Sequence, residues 1–350
     1  KKMTKTHSHQ LILGLTQGDS KTWAAARQRL NLVPPKRRKR MRLLDEFAEQ
    51  RNQSSIPVPY LHSTHESILN PVGPADVSEW FAVSFFSSLG LSLGGSMASP
   101  MSIWQELSEI RAQDASAVRG RLGTTIALDV IARSGSTATS GKDNPHYFDD
   151  LSLIRAMAVA VTLGTSLDAS DRIEKELSIT ASNDGLVAGI AMGNLTLALL
   201  AGTPPKNALD NMVSSLANDS WTLSVIQQSL DLARHATSIE ELGFMLEKEI
   251  ADHVYSYQVS APETLAMACA YLAFSTSRDQ LLLGGFLNSS RSEVLVPLLW
   301  GIAGVQYGGF DFSPGPLQGL SVRALRGVDL NEMFLNLDFS DSLERKNSNG

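Results

Sequence analysis

Apolar residues recur at steps of three and four through residues 80–91, 103–110, 151–163, 186–200, 221–233, 242–254 and 264–274. That step places them on one face of an α-helix, and no other feature constrains the fold as strongly. Start signals stand ahead of the periodic runs. Asp76-Val77-Ser78-Glu79 and Ser238-Ile239-Glu240-Glu241 read as capping boxes, and Ser99-Pro100 reads as a cap before a first-turn proline. Gly90, Gly164 and Gly202 stand where helices should stop, the last backed by Pro204-Pro205. Alternating β-branched runs are scarce, and no Asn-Gly or Asp-Gly hairpin joins two of them. Aromatic residues make up 7% of the chain, which also disfavours a β-rich fold. About a dozen helices and no sheet are expected.

The organisation reads as one all-α domain over residues 1–339, followed by a polar, disordered tail at 340–350. With 350 residues, 43% hydrophobic and 19% charged, the chain has material for a large core and is not a disordered polymer. Cys269 is the single cysteine, which excludes a disulfide framework and a cysteine-built zinc site and suggests a reducing, cytoplasmic setting. The formal charge of -6 argues against general nucleic-acid binding. The apolar run 186–202 carries Asn194 and Thr196 and falls short of a span, so it reads as a buried helix rather than a membrane anchor. No targeting segment is visible.

Candidate chemistry is thin when read residue by residue. Lys36-Arg37-Arg38-Lys39-Arg40 reads as a solvated helix face, with phosphate binding as the alternative. Residues 50–74 form a long Ser-, Pro- and His-rich loop, either a lid over a site or an inert excursion. His62 and His65 lack the spacing of a zinc-protease pair, and His7 and His9 form a second pair with no metal signature. Leu93-Gly94-Gly95 and Leu283-Gly284-Gly285 read as turns. Two acidic groupings remain. Asp149-Asp150 precede a helix carrying Arg155, where they suit the macrodipole and are equally able to accept sugar hydroxyls. Asp76 with Glu79 reads as a cap or as a catalytic pair.

Five segments in order resemble the ADP-ribosylglycohydrolase family. They are Leu13-Gly14-Leu15-Thr16-Gln17-Gly18-Asp19; Gly73-Pro74-Ala75-Asp76-Val77-Ser78-Glu79-Trp80; Pro145-His146-Tyr147-Phe148-Asp149-Asp150 with Arg155; Ser178-Ile179-Thr180-Ala181; and residues 288–308, which end in Gly301-Ile302-Ala303-Gly304. The resemblance covers residues 13–308. It implies a single large helical domain with a dinuclear magnesium site that hydrolyses the glycosidic bond of ADP-ribose attached to an acceptor. It assigns Asp76 and Glu79 to catalysis, Asp76, Ser78 and Glu293 to metal, and Asp149, Asp150, Arg155, Asn288 and Arg291 to ligand binding.

The chain departs from the family pattern at its carboxylates. Val77 stands where the second acid of the early pair belongs, and Ala181 stands where relatives carry His. In the late loop the expected aspartates fall on Arg291 and Glu293 in one register, or on Val294 in another. Valine offers a metal no lone pair, and an arginine in the site repels it. The expectation is therefore an eroded magnesium site, with weak or no metal, binding a ribosyl, ADP-ribosyl or nucleotide ligand, or an ADP-ribosylated protein, with little hydrolysis. Arg291 is the expected stand-in for the metal. The alternatives are an active hydrolase of an N- or O-ribosyl bond using one metal or an altered ligand set, and a scaffold whose cleft has closed.

Overall fold

Five of the seven periodic stretches lie wholly in α-helices of the computed structural model, which describes residues 5–32, 74–164, 166–251, 260–288 and 291–337; of the other two, 80–91 overruns its helix by two residues and 242–254 ends outside the described residues. The helices are α1 (Lys5–Leu32), α2 (Asp76–Leu89), α3 (Ser102–Gln113), α4 (Leu122–Ser134), α5 (Leu151–Leu163), α6 (Ala169–Leu177) and α7 (Asn183–Leu200), followed by α8 (Pro205–Ser215), α9 (Trp221–His235), α10 (Ile239–Glu249), α11 (Ala261–Phe274), α12 (Arg278–Leu287), α13 (Ser292–Tyr307) and α14 (Leu330–Asn336). The fold is all-α: 68% of it is helical and no strand occurs among the described residues. The basic cluster, the loop at 50–73 and the tail at 340–350 lie outside the described residues.

α5 is the centre. Every side chain from Leu151 to Val161 is buried, including Arg155. A helix apolar on all faces must be enclosed by others, and α5 touches α2, α6, α7, α11 and α13. α7 is long and apolar enough to cross a membrane by length and composition. Here 56% of it is buried, against α5, α6, α8 and α11 among others. One continuous core runs from Leu11 on α1 to Phe334 on α14.

α1 packs along α13, far from it in sequence. Glycines make the approach possible. A Cβ on Gly14 would lie 2.2 Å from the Trp300 carbonyl oxygen, and one on Gly304 would lie 2.1 Å from that of Gln10. Gly18 meets Pro297 and Trp300 in the same way. These glycines belong to two of the segments singled out in the sequence, and their role there is close packing.

Three sequence expectations are corrected. Asp76 is the first helical residue of α2, not its cap; the cap position is Ala75, which has no side-chain bond to give. The missing acceptor comes from α1, where Asp19 Oδ2 takes the N–H groups of Ala75 at 2.8 Å and Ser78 at 2.9 Å. Ser99-Pro100 forms a turn ahead of α3, whose cap position is Met101 at φ 65°. Gly284 and Gly285 are helical rather than a turn, because Tyr271 and the Val296 backbone press against α12 there. Other signals match: Ser238 caps α10 by accepting the Glu241 N–H at 3.1 Å, and Gly90 closes α2 at φ 68°.

Of three short pairings among the described residues, two join loops far apart in the chain. Val118 pairs antiparallel with Val322, and Asp149 with Ser260. The first brings residues 117–119 against 321–323; the second brings Asp149 and Asp150 against the start of α11.

Candidate functional site

Three helices begin with acids, and their first turns face one cation. Asp149 and Asp150 precede α5, Glu293 lies in the first turn of α13, and Asp76 opens α2. Carboxylates at helix N-termini are favoured by the unpaired N–H groups there, and Asp149 Oδ1 accepts the Leu151 N–H at 2.9 Å. The cation is Arg121, the cap residue of α4. Its Nη1 donates to Asp149 Oδ1 at 3.1 Å and also to Asp150 Oδ1, and its Nη2 donates to Glu293 Oε2 at 3.4 Å. Thr264 of α11 completes the arrangement, its hydroxyl donating to Asp150 Oδ2 at 2.8 Å.

Local chemistry carries Arg121 into this position. Gly120 has φ 155°, and the Trp80 indole lies so close that a Cβ would meet it at 3.1 Å. Gly123 lets the first turn of α4 sit against His146 and Asp149. Trp80 in turn stacks on Trp104, with centroids 5.9 Å apart. Arg121 is 5% exposed. Burial pulls its guanidinium pKa down, but Asp150, Asp149, Glu293 and Asp76 more than reverse this, so the net shift is upward. The pKa of Asp150 is pushed up to about 6, first by burial, with Arg121 pulling against it and Asp149 adding to it.

A second acidic layer lies behind α2. Both Glu79 oxygens face a loop of backbone donors: Oε1 takes the N–H of Leu320 at 2.6 Å, and Oε2 takes those of Ser321 and Val322 at 2.7 Å each. Burial pushes the Glu79 pKa up to about 8, against the pull of those three N–H groups. Asp19 is pushed up to about 7 by burial and by Asp76. With its acceptors occupied, Glu79 anchors the 320–322 loop to α2.

The remaining expected site residues are placed as follows. Ser78 is fully buried, its backbone N–H on Asp19. Arg291 caps α13 with 2% of its surface exposed, pairs with Glu263, and lowers the Asp150 pKa by its charge. The guanidinium among the carboxylates is thus Arg121, where the sequence had pointed to Arg291. Arg155 and Asn288 are not part of this group. Arg155 donates to Ser84 Oγ at 3.0 Å, to Thr180 and to Glu176, and lies over the Trp104 ring at 4.4 Å. It joins α2, α3, α5 and α6. Asn288 donates to the Gly243 carbonyl and to Glu247, each at 3.0 Å, and accepts from the Tyr271 hydroxyl, which locks α12 to α10 and α11. Arg121 carried no sequence signal beyond Arg119-Gly120-Arg121 ahead of a helix.

The residues present do not fit two magnesium ions. Magnesium requires near-octahedral oxygen ligands. Here Asp149, Asp150 and Glu293 turn oxygens to a guanidinium, while Val77 and Val294 are buried hydrocarbon. Among the described residues no three acids, histidines or cysteines stand at metal-holding spacing. Placing a divalent ion about 4 Å from a guanidinium costs roughly 8 kcal/mol at an effective dielectric near 20.

No family model matches the chain, and no curated protein matches it. Among solved structures, a chain of an ADP-ribosylglycohydrolase-related protein complex aligns over 95% of this chain and 96% of its own length, with 13% identity and a TM-score of 0.47. A likeness that distant carries no functional weight.

Proposed function

We propose that this chain is an ADP-ribosylglycohydrolase-like protein with an eroded metal site, which binds an ADP-ribosyl or other ribosyl or nucleotide ligand with little or no hydrolysis. One observation supports this above others. Acids from three of the segments that resemble the family gather around Arg121, which leaves their charge in place without a metal. Carboxylates accept hydrogen bonds from vicinal sugar hydroxyls, and a guanidinium holds phosphate oxygens. Hydrolysis also needs an activated water. Glu79 has its oxygens on three backbone N–H groups and is poorly placed to act as a base.

The alternative is an active hydrolase with one metal or an altered ligand set. It is favoured by the charge excess, since one guanidinium faces the three carboxylates of Asp149, Asp150 and Glu293. Calorimetric titration with ADP-ribose, with and without magnesium, separates the readings. Binding heat independent of magnesium, together with background release of ADP-ribose from modified arginine, is the expected result. Magnesium-dependent turnover would establish the alternative. No heat in either condition would mean a closed cleft and would sink the proposal.

A further inference from the structure

A pocket of about 320 Å³ lies between the last turn of α2, the turn before α3 and one face of α6, and shares no lining residue with the carboxylates around Arg121. Ser88, Pro100, Met101, Arg172, Lys175 and Glu176 are among its walls. We propose that this pocket is an oxyanion site for a phosphoryl group, and that the group it takes is a phosphate carried by the chain's own Ser99.

The charge comes from α6. Arg172 and Lys175 stand three residues apart and so share a helix face. Arg172 donates from Nη2 to the Ser88 carbonyl at the end of α2, and neither cation pairs with an acid among the described residues. The α2 end accounts for part of Arg172, since a cation suits a helix C-terminus; it does not account for Lys175. Glu176, the acid in the lining, does not neutralise them. Its Oε1 accepts from Ser84 at 2.8 Å and Trp104 at 2.9 Å, its Oε2 accepts from Ser87 at 2.6 Å, and Arg155 is its counter-charge. Asp171 and Glu174 of the same helix stand outside the lining. Two cations therefore face one small space without an anion of their own.

Backbone contacts bring Ser99 to the rim. The Ala98 N–H donates to the Gly90 carbonyl at 2.7 Å, and a Cβ on Gly90 would lie 3.0 Å from the Ala98 oxygen and 3.8 Å from the Pro100 nitrogen. Ser99-Pro100 thus lies against the helix end whose Ser88 carbonyl Arg172 holds. Ser99 is exposed, and its hydroxyl has no partner among the described residues. Phosphorylation supplies what the pocket lacks. The Ser99 oxygen attacks the γ-phosphorus of a nucleoside triphosphate on a protein kinase. The new O–P bond replaces the bond to the nucleoside diphosphate, which leaves, and the hydroxyl proton passes to the kinase's base. The phosphate carries a charge of about -1.5 to -2 at pH 7, and its oxygens accept from a guanidinium fork and an ammonium together.

Phosphoserine is placed at position 99 of the full chain during translation, and its phosphorus resonance is titrated with pH in the native and the urea-unfolded protein. The unfolded group should titrate near pH 6, as in water, and the native group lower by about 0.5 or more. Lys175→Gln and Arg172→Gln should each return the native value part of the way, whereas Lys175→Arg should keep it low. Equal native and unfolded values overturn the proposal, and so does a native value that Lys175→Gln leaves in place. A second arm distinguishes the source of the phosphoryl group. The unmodified chain is titrated with inorganic phosphate against sodium chloride of equal ionic strength. Saturable binding that both Lys175→Gln and phosphorylation of Ser99 abolish supports the shared site. Saturable binding beside an unshifted phosphoserine overturns the assignment to Ser99 and gives the pocket to a free phosphorylated ligand. ADP-ribose enters neither arm, so the outcome is independent of the ligand proposed above.

Discussion

At the scale of single residues, burial sets what each charged group does. Asp19 takes two backbone N–H groups of α2 on one oxygen, and its pKa rises from 3.8 to about 7. Between those values the folded chain holds a proton that the unfolded chain releases. The stability this group contributes is therefore full below about 3.8 and is lost as pH rises through about 7. Asp19→Asn presents a carbonyl oxygen to the same two donors and does not titrate. Its urea midpoint is expected to fall less than the parent's between pH 4 and 7, and parallel curves would refute the assignment. Arg155 belongs to the interior. Arg155→Met leaves the buried Glu176 without its cation, on the neutral donors Ser84, Ser87 and Trp104, and is expected to cost about 3–5 kcal/mol. Denaturation measures that loss, while the ADP-ribose heat of the folded fraction should be unchanged.

At the scale of elements, helix ends and helix contacts obey different physics. Ends are local, and the cap at Ser238 and the stop at Gly90 are both legible in the sequence. The α2 start was misread because its acceptor lies 56 and 59 residues away, on α1. Contacts between helices leave only an ambiguous trace, since a glycine for close packing looks like a glycine for turning. Gly14 and Gly304 belong to the first kind; Gly95, at φ 76° with nothing within 4 Å of its Cβ, belongs to the second. Gly14→Ala and Gly304→Ala push α1 from α13 and are expected to cost about 1–3 kcal/mol each. Gly95→Ala meets only backbone strain, of order 1 kcal/mol. Thermal melts that rank the loop variant as the worst would remove the packing account of these glycines.

At the scale of the whole molecule, the core that joins α1 to α14 implies that the described helices unfold together. Cys269 reports on this. It is fully buried on α11, and burial pushes its thiol pKa up to about 12. The native protein is expected to resist thiol reagents at mildly alkaline pH. It should gain one reactive thiol along the same denaturant curve that circular dichroism follows. A thiol exposed well before helix is lost would mean that residues 1–339 do not behave as one domain.

The sequence by itself determined the helical class, the position of seven of the fourteen described helices and the stops at Gly90 and Gly164, because a 3.6-residue period and a terminal glycine act over a few residues. It also marked Asp76, Asp149 and Asp150 as acids at helix starts and Glu293 as an acid of the late loop. Only the tertiary structure decided that Arg121 stands among them while Arg155 and Asn288 are drawn into helix junctions. The reason is range: the Arg121 contacts join residues up to 172 apart, and nothing in the few residues around Arg119-Gly120-Arg121 registers where such a side chain will end.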